Sequence, residues 1–253
     1  MATIGIIIAR AGSKGLVNKN VADLLGRPMI AYTIDHALAA SRLDRIVVST
    51  DGEAIAAVAR KMGVEVIDRP AALATDTAGV DSAARHAAVW CEHRHHTRYD
   101  HAVVLYGNVP VRPANLIDLA VEKLIATGAD SVQSVAAVGK THPYWMKTVG
   151  GRKGDAGDEL RMFIDNPVYR RQDLPPVYML DGGVIAVTRA SLFHWVDDQP
   201  HAFLGADRRA VFTQPGEVID VDDELDLAVA EAVLRVKKER GDGVQAPLKR
   251  HIA

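Results

Sequence analysis

A chain of 253 residues, 48% apolar and 25% charged, is long enough for one large globular domain or for a domain with an elaboration. Its net charge of -2 gives no sign of a nucleic-acid surface, and its single cysteine, Cys91, excludes an intrachain disulfide and argues against a cysteine-based zinc site. The opening MATIGIIIARAG has an apolar run too short to span a bilayer and lacks a basic leader or cleavage site, so the expectation is a soluble cytoplasmic protein.

In chain order, a buried strand is expected at Ile4–Ala9, a helix at Met29–Ala40 and a strand at Arg45–Ser49. A helix over Glu53–Met62, stopped by Gly63, precedes a short strand at Val64–Ile67. Asp81–His93 reads as helix, Ala102–Tyr106 as strand, Leu116–Thr127 as a helix ended by Gly128, and Ser131–Ala137 as strand. Alternating helices and continuously apolar strands predict a mostly parallel sheet covered on both faces, with ligands at the carboxyl ends of its strands. Residues 139–180 break the alternation with Gly, Pro, charges and aromatics, and no long helix fits them. Trp145, Phe163, Tyr169 and Tyr178 concentrate there and suit either a partner subunit or local packing. The core resumes with a strand at Gly182–Thr188 and a helix at Asp223–Lys238. This divides the chain into a core of residues 1–138 and 181–240, an insertion at 139–180, and a loose tail at 241–253.

Four segments carry candidate chemistry. After the first strand comes ARAGSKGLVNKN, in which Arg10, Gly12, Ser13, Lys14, Gly15, Lys19 and Asn20 fall within eleven residues. A glycine-containing turn at a strand end can aim backbone N–H groups at an anion, and the cations add charge; a solvated turn would look similar. Neither the dinucleotide fingerprint nor the P-loop pattern is present. In IDVDDELDL, Asp220 and Asp222 share one face of an extended stretch and can hold Mg2+, while Asp222, Asp223 and Glu224 also suit a helix N-terminus. In IDRPAALATDTAG, Arg69 leaves a strand, and Asp76 or Thr77 can cap the next helix. In VVLYGNVPVRP, turn chemistry accounts for Gly107 and Asn108. A histidine-rich stretch with His93, His95, His96 and His101 fits no metal-ligand spacing and reads as solvated surface.

Together these segments resemble the acylneuraminate cytidylyltransferases, the CMP-sialic acid synthetases and their relatives for other nonulosonic acids. The match runs through IIIARAGSKGLVNKN, RIVVSTDGEAIAAVARKMGVEVIDRPAALATDTAG, RRQDLPPVY and IDVDDELDL, from about residue 4 to residue 235. The resemblance implies a three-layer α/β/α sandwich of the nucleotide-diphospho-sugar-transferase type, with residues 139–180 as an inserted dimerisation element. It implies transfer of CMP from CTP to a nine-carbon 2-keto-3-deoxy sugar acid with release of pyrophosphate, in a Mg2+-dependent homodimer. By motif, Arg10, Lys14 and Lys19 are the expected catalytic cations. Gly12, Ser13, Asn20, Arg69, Asp76, Thr77 and Ala78 join Arg10 and Lys14 around CTP. Asp220 and Asp222 are the expected metal ligands. Tyr106, Asn108, Arg171 and Gln172 are expected near the sugar acid.

Three positions depart from that pattern. Where relatives read LLQPTSPLR this chain reads VLYGNVPVR, so that Tyr106 replaces a glutamine and Asn108 a threonine. LYGNVP is itself similar to the LYGDVP of sugar-1-phosphate uridylyltransferases, with the aspartate changed to Asn108. Asp181-Gly182-Gly183 stands where relatives have NGA. An altered acceptor pocket, a sugar 1-phosphate acceptor, and a non-catalytic nucleotide-binding homologue are therefore all open at the level of sequence.

Overall fold

In the computed structural model, residues 1–12, 15–150, 157–197 and 199–241 are described. The sheet strands are β1 (Thr3–Ile8), β4 (Arg45–Thr50), β5 (Glu65–Asp68), β6 (His101–Tyr106), β7 (Ser131–Ala137), β10 (Tyr178–Thr188) and β11 (Arg208–Thr213). Two short hairpins lie outside it, β2 (Asp23–Leu24) with β3 (Arg27–Pro28) and β8 (Lys147–Val149) with β9 (Leu160–Met162). The helices are α1 (Met29–Ala39), α2 (Glu53–Lys61), α3 (Val80–His95), α4 (Leu116–Thr127), α5 (Arg189–Leu192) and α6 (Glu224–Glu239). The sheet order is β11-β7-β10-β6-β1-β4-β5, and only β10 runs against the others.

The period-2 alternation of each strand divides the core into two layers. Ile4 and Ile6 of β1, Val47 of β4 and Val104 of β6 pack with Ala84, Ala87 and Cys91 of α3. Ile7, Val48, Val103 and Leu105 face the other way, against Ile30 and Ile34 of α1, Ile55 of α2 and Leu116 and Val121 of α4. Helices thus cover both faces, which is the α/β/α sandwich expected. A smaller cluster of Leu24, Met29, Val111, Val221 and Ala230 holds α6 against the core.

Local signals set the helix ends. Gly128 closes α4 in the left-handed region, with its N–H on the Leu124 carbonyl. Asp223 caps α6 in a capping box with Asp226. α3 differs from expectation: its N-cap is Gly79 without a side-chain cap, so neither Asp76 nor Thr77 caps it. β11 is an element that the sequence reading did not contain. β10 reaches back to Tyr178, where it pairs with Ala137. The described residues of 139–180 otherwise hold the β8–β9 pair and single 3-10 turns. The tail at residues 242–253 lies outside the described residues.

The histidines are not uniformly solvated. His95 pairs with Glu65 at 2.8 Å, and His101 is buried at the start of β6. His36 on α1 is also buried, and its Nε2 lies 3.3 Å from the Pro110 carbonyl oxygen. Burial, with Arg112 adding repulsion, pushes its pKa down to about 3. Its folded value is therefore depressed below the unfolded value of 6.5, and between these values the unfolded chain binds a proton that the folded chain excludes. Stability is expected to fall by on the order of a few kcal/mol as pH drops from about 6.5 towards 3. Urea unfolding across that window checks this: His36→Gln, which cannot titrate, should give a shallower acid limb than the wild type.

Candidate active site

The chain leaves β1 towards β4 and β5 on one side and returns at β6 on the other, so the strand order reverses between β1 and β6. At such a switch point the loops beyond the strand ends diverge and leave a crevice. A cleft of about 450 Å³ lies there, lined by Ala9 and Arg10 beyond β1, Tyr106 at the end of β6 and Asn108 beyond it, Arg69 beyond β5, and Asp222. Its floor is tight. A Cβ on Gly107 would lie 2.7 Å from Asn20 Oδ1 and 2.9 Å from Ala9 Cβ, so close approach, and not turn geometry, requires glycine at 107.

The first loop curls over the cleft. Gly12 takes a φ of 73°, open to glycine without strain. Asn20 is buried and donates from Nδ2 to the Arg10 carbonyl at 3.0 Å, pinning the two ends of the loop together. Arg10 Nη2 lies 2.5 Å from Asp76 Oδ1, and Nη1 reaches the Ala74 carbonyl at 3.4 Å. Lys19 Nζ lies 2.7 Å from Asp222 Oδ1. Lys19 is 15% exposed and Asp222 75%, so the pair joins the cleft wall to its open mouth. Gly15 lies against the backbone of Asp222, since a Cβ there would be 2.5 Å from the Asp222 carbonyl oxygen. The loop and the acidic segment, some two hundred positions apart, thus form one edge of the cleft (Ser13 and Lys14 lie outside the described residues).

Beyond β5, Arg69 is buried, with Nε 3.1 Å from Ser49 Oγ and Nη2 2.5 Å from the Ser49 carbonyl. Desolvation lowers its pKa to about 10, against an opposing pull from Asp51, so it stays cationic at neutral pH. Asp76 and Ala78 line the cleft with Thr75, whereas Thr77 does not. Asp51, which sequence reading passed over, accepts from the Ala11 N–H at 2.8 Å and ties the first loop to the end of β4. An acid just past a strand end was the available signal.

On the acidic side, Asp220 and Asp222 flank Val221, which pairs with the loop after β6 through Val221 N to Asn108 O at 2.9 Å. Asn108 Nδ2 donates to Asp220 Oδ1 at 2.5 Å and to the Val221 carbonyl at 3.0 Å. Asn108 is therefore tied to the acidic segment and not merely a turn former. Burial and the neighbouring Asp222 charge raise the Asp220 carboxyl to about 6, with Lys19 and Arg112 opposing. Burial raises the Tyr106 phenol, with Asp220 adding to it.

Arg112 was also missed. It is 2% exposed and hydrogen-bonds to Thr33 and to backbone carbonyls around the loop after β6. Complete burial lowers its pKa to about 9, with Asp220 and Asp181 opposing. Asp181 is tied down by Ser134 and Thr213. Arg171 and Gln172 sit exposed on a 3-10 turn of the insertion and do not line the cleft of their own chain.

A sequence profile described as Cytidylyltransferase matches residues 4–149, which span the first cleft loop, Arg69, Asp76 and Tyr106. The chain belongs to the cytidylyltransferase family. This cytidylyltransferase is 31% identical to the CMP-N,N'-diacetyllegionaminic acid synthase of Legionella pneumophila, over 94% of the chain and 99% of the relative. It is 30% identical to a pseudaminic acid cytidylyltransferase of Campylobacter jejuni, with the same coverage. An N-acylneuraminate cytidylyltransferase of Escherichia coli is 30% identical over 94% of the chain, which spans 53% of that longer relative. The solved structure of a CMP:2-keto-3-deoxy-manno-octonic acid synthetase complexed with CTP superposes with a TM-score of 0.68 over 94% of the chain and 100% of that structure. At 18% identity, that likeness supports the fold alone. The nucleotidyltransferase class and the sandwich architecture read from the sequence both hold.

Proposed function

We propose that this cytidylyltransferase activates a nonulosonic sugar acid with CTP, releasing the CMP-sugar and pyrophosphate. The observation that carries the reading is the convergence of Arg10, Lys19 and Asp222 on one cleft at the sheet's switch point, with Asp220 behind its wall, bonded to the cleft residue Asn108. In the reaction, the anomeric oxygen bonds to the α-phosphorus as the bond to the bridging β-phosphate oxygen breaks. The hydroxyl proton passes to water and pyrophosphate leaves. Such a transfer needs positioning and charge neutralisation more than covalent help from the protein. Arg10 and Lys19, with Lys14, are assigned to the triphosphate, and Lys19 to charge growing at the α-phosphoryl group. Gly12, Ser13 and Asn20 are also assigned to the nucleotide. Arg69 and the Asp76-Thr77-Ala78 segment are assigned to the cytidine, where backbone groups can read the cytosine edge.

Asp220 and Asp222 are the assigned Mg2+ ligands. Their fit to a hard cation rests on electrostatics: burial, and after it the charge of Asp222, raises the Asp220 carboxyl, and a bound cation would relieve both. Among the described residues no group of three or more His, Cys, Asp or Glu side chains could hold a metal, so phosphate oxygens and water would complete the shell. When bound, Mg2+ would supply charge neutralisation at the phosphoryl oxygens.

The assignment of residues 139–180 to dimerisation is supported by exposed apolar side chains: Val149, Leu160, Phe163 and Tyr169 on the insertion, and Tyr178, Met179 and Leu180 on β10. Arg171 and Gln172 would then reach a partner's cleft, where a guanidinium suits a sugar-acid carboxylate. No described helix is long and apolar enough to cross a membrane, and the assigned compartment is the cytoplasm.

The test is pyrophosphate release with CTP and Mg2+ across N-acetylneuraminate, legionaminate, pseudaminate, 3-deoxy-manno-octulosonate and N-acetylglucosamine 1-phosphate, with UTP as control. Release with CTP and one sugar acid is expected. Release only with UTP and the sugar phosphate would favour the LYGNVP resemblance, and CTP binding without any turnover would favour a non-catalytic homologue. Within the same panel, Tyr106→Gln is expected to change the ranking of sugar acids; an unchanged ranking would remove Tyr106 from acceptor selection.

A further inference from the structure

β10 carries a wide bulge beside the acidic pair. Its register against β7 jumps from Leu180↔Val135 to Ile185↔Gln133, leaving Asp181 to Val184 out of the regular ladder. Gly182 within the bulge has a φ of 75°, and a Cβ there would lie 3.2 Å from Asp220 Oδ2. The bulge backbone is thus packed against the Asp220 carboxylate. It is held from two sides. Asp181 accepts from the Ser134 hydroxyl, from Thr213 Oγ1 at 2.5 Å and from the Gly183 N–H at 2.9 Å. From beneath, Arg112 Nε donates to the Gly183 carbonyl at 2.7 Å.

The same guanidinium grips the loop after β6. Nη2 donates to the Tyr106 carbonyl at 3.0 Å, and Nη1 to the Val109 carbonyl at 2.5 Å and to Thr33 Oγ1 at 2.9 Å. One buried side chain therefore joins the segment bearing Tyr106 and Asn108 to the bulge that abuts Asp220. None of its hydrogen bonds goes to Arg10, Lys19, Arg69 or Asp76 on the nucleotide side.

We propose that Arg112 and Asp181 form a clamp that positions the acceptor end of the cleft, setting the distance between the Tyr106–Asn108 segment and Asp220 while leaving the nucleotide end untouched. Both are positioning residues, acting through backbone carbonyls and the bulge. The buried cation suits this task, since a guanidinium presents five donors in a rigid plane and can hold several carbonyls at once. The proposal rests on the functional reading only in naming the bound molecule at that end a sugar acid.

The test is steady-state kinetics of Arg112→Lys and Thr213→Val with acceptor and CTP varied separately, alongside calorimetric titration of CTP without acceptor or Mg2+, in which the metal role assigned to Asp220 takes no part. A small misplacement at a reacting centre is costly, so the acceptor KM is expected to rise about tenfold or more in both variants, with CTP affinity within about twofold of wild type. Thr213→Ser, which keeps the hydroxyl donor to Asp181, should restore the acceptor KM. Equal losses at both substrates, no change at either, or failure of Thr213→Ser to recover would overturn the clamp. If Arg112→Lys does not fold, the two Thr213 variants decide the matter alone. Wild-type inactivity towards every sugar acid would instead count against the functional reading, and the clamp would then be measured with whichever acceptor the wild type uses.

Discussion

Asp222→Asn should lower turnover by about two to three orders of magnitude and raise the Mg2+ concentration needed for half-maximal rate, because it removes one of two charges assigned to the cation. The fold should not suffer. Asp222 is 75% exposed, so its carboxylate keeps most of its hydration and its pair with Lys19 is open to solvent on that side, where such contacts are worth about 0–1 kcal/mol. The α6 cap is made by Asp223 and Asp226 and does not depend on the Asp222 side chain. A thermal unfolding curve near that of the wild type, together with a Mg2+ titration displaced to higher concentration, is the expected result. Near-wild-type activity at limiting Mg2+ would remove Asp222 from the metal site.

Lys19→Ala should be as damaging by another route. Lys19 is the wall-side member of the pair, largely shielded from solvent, and its Nζ is held at the cleft edge by Asp222. A desolvated cation aimed at a phosphoryl group acts chiefly where charge grows in the transition state. The expected loss is about two to three orders of magnitude in kcat, with a smaller change in CTP affinity and an unshifted Mg2+ titration. That pattern separates Lys19 from Asp222, although the two touch. A loss carried wholly by KM for CTP would assign Lys19 to ground-state binding alone.

The first loop and the acidic pair were legible in sequence because their chemistry is written in residue types, three cations beside glycines and two carboxylates at a spacing of two. The sandwich was legible from continuous apolar strands alternating with amphipathic helices. Contacts distant in sequence were not. Asp76 reads as a helix cap, yet it pairs with Arg10, and the helix is capped at Gly79 instead. Gly107 and Asn108 read as a turn and do form one, but only the fold shows the packing against Ala9 and the bond to Asp220. Arg112, between two prolines, was not singled out, and only the fold shows it buried among carbonyls. β11 escaped because it is an edge strand whose RRAVFT alternates weakly, with Arg208 and Phe212 facing solvent.

The most direct measurement of the central claim is 31P NMR of a reaction containing the protein, CTP, Mg2+ and the preferred sugar acid. One new phosphodiester resonance, growing with pyrophosphate at the expense of the triphosphate signals, is the predicted result. A pair of coupled diphosphate resonances, formed only when a sugar 1-phosphate is supplied, would contradict it.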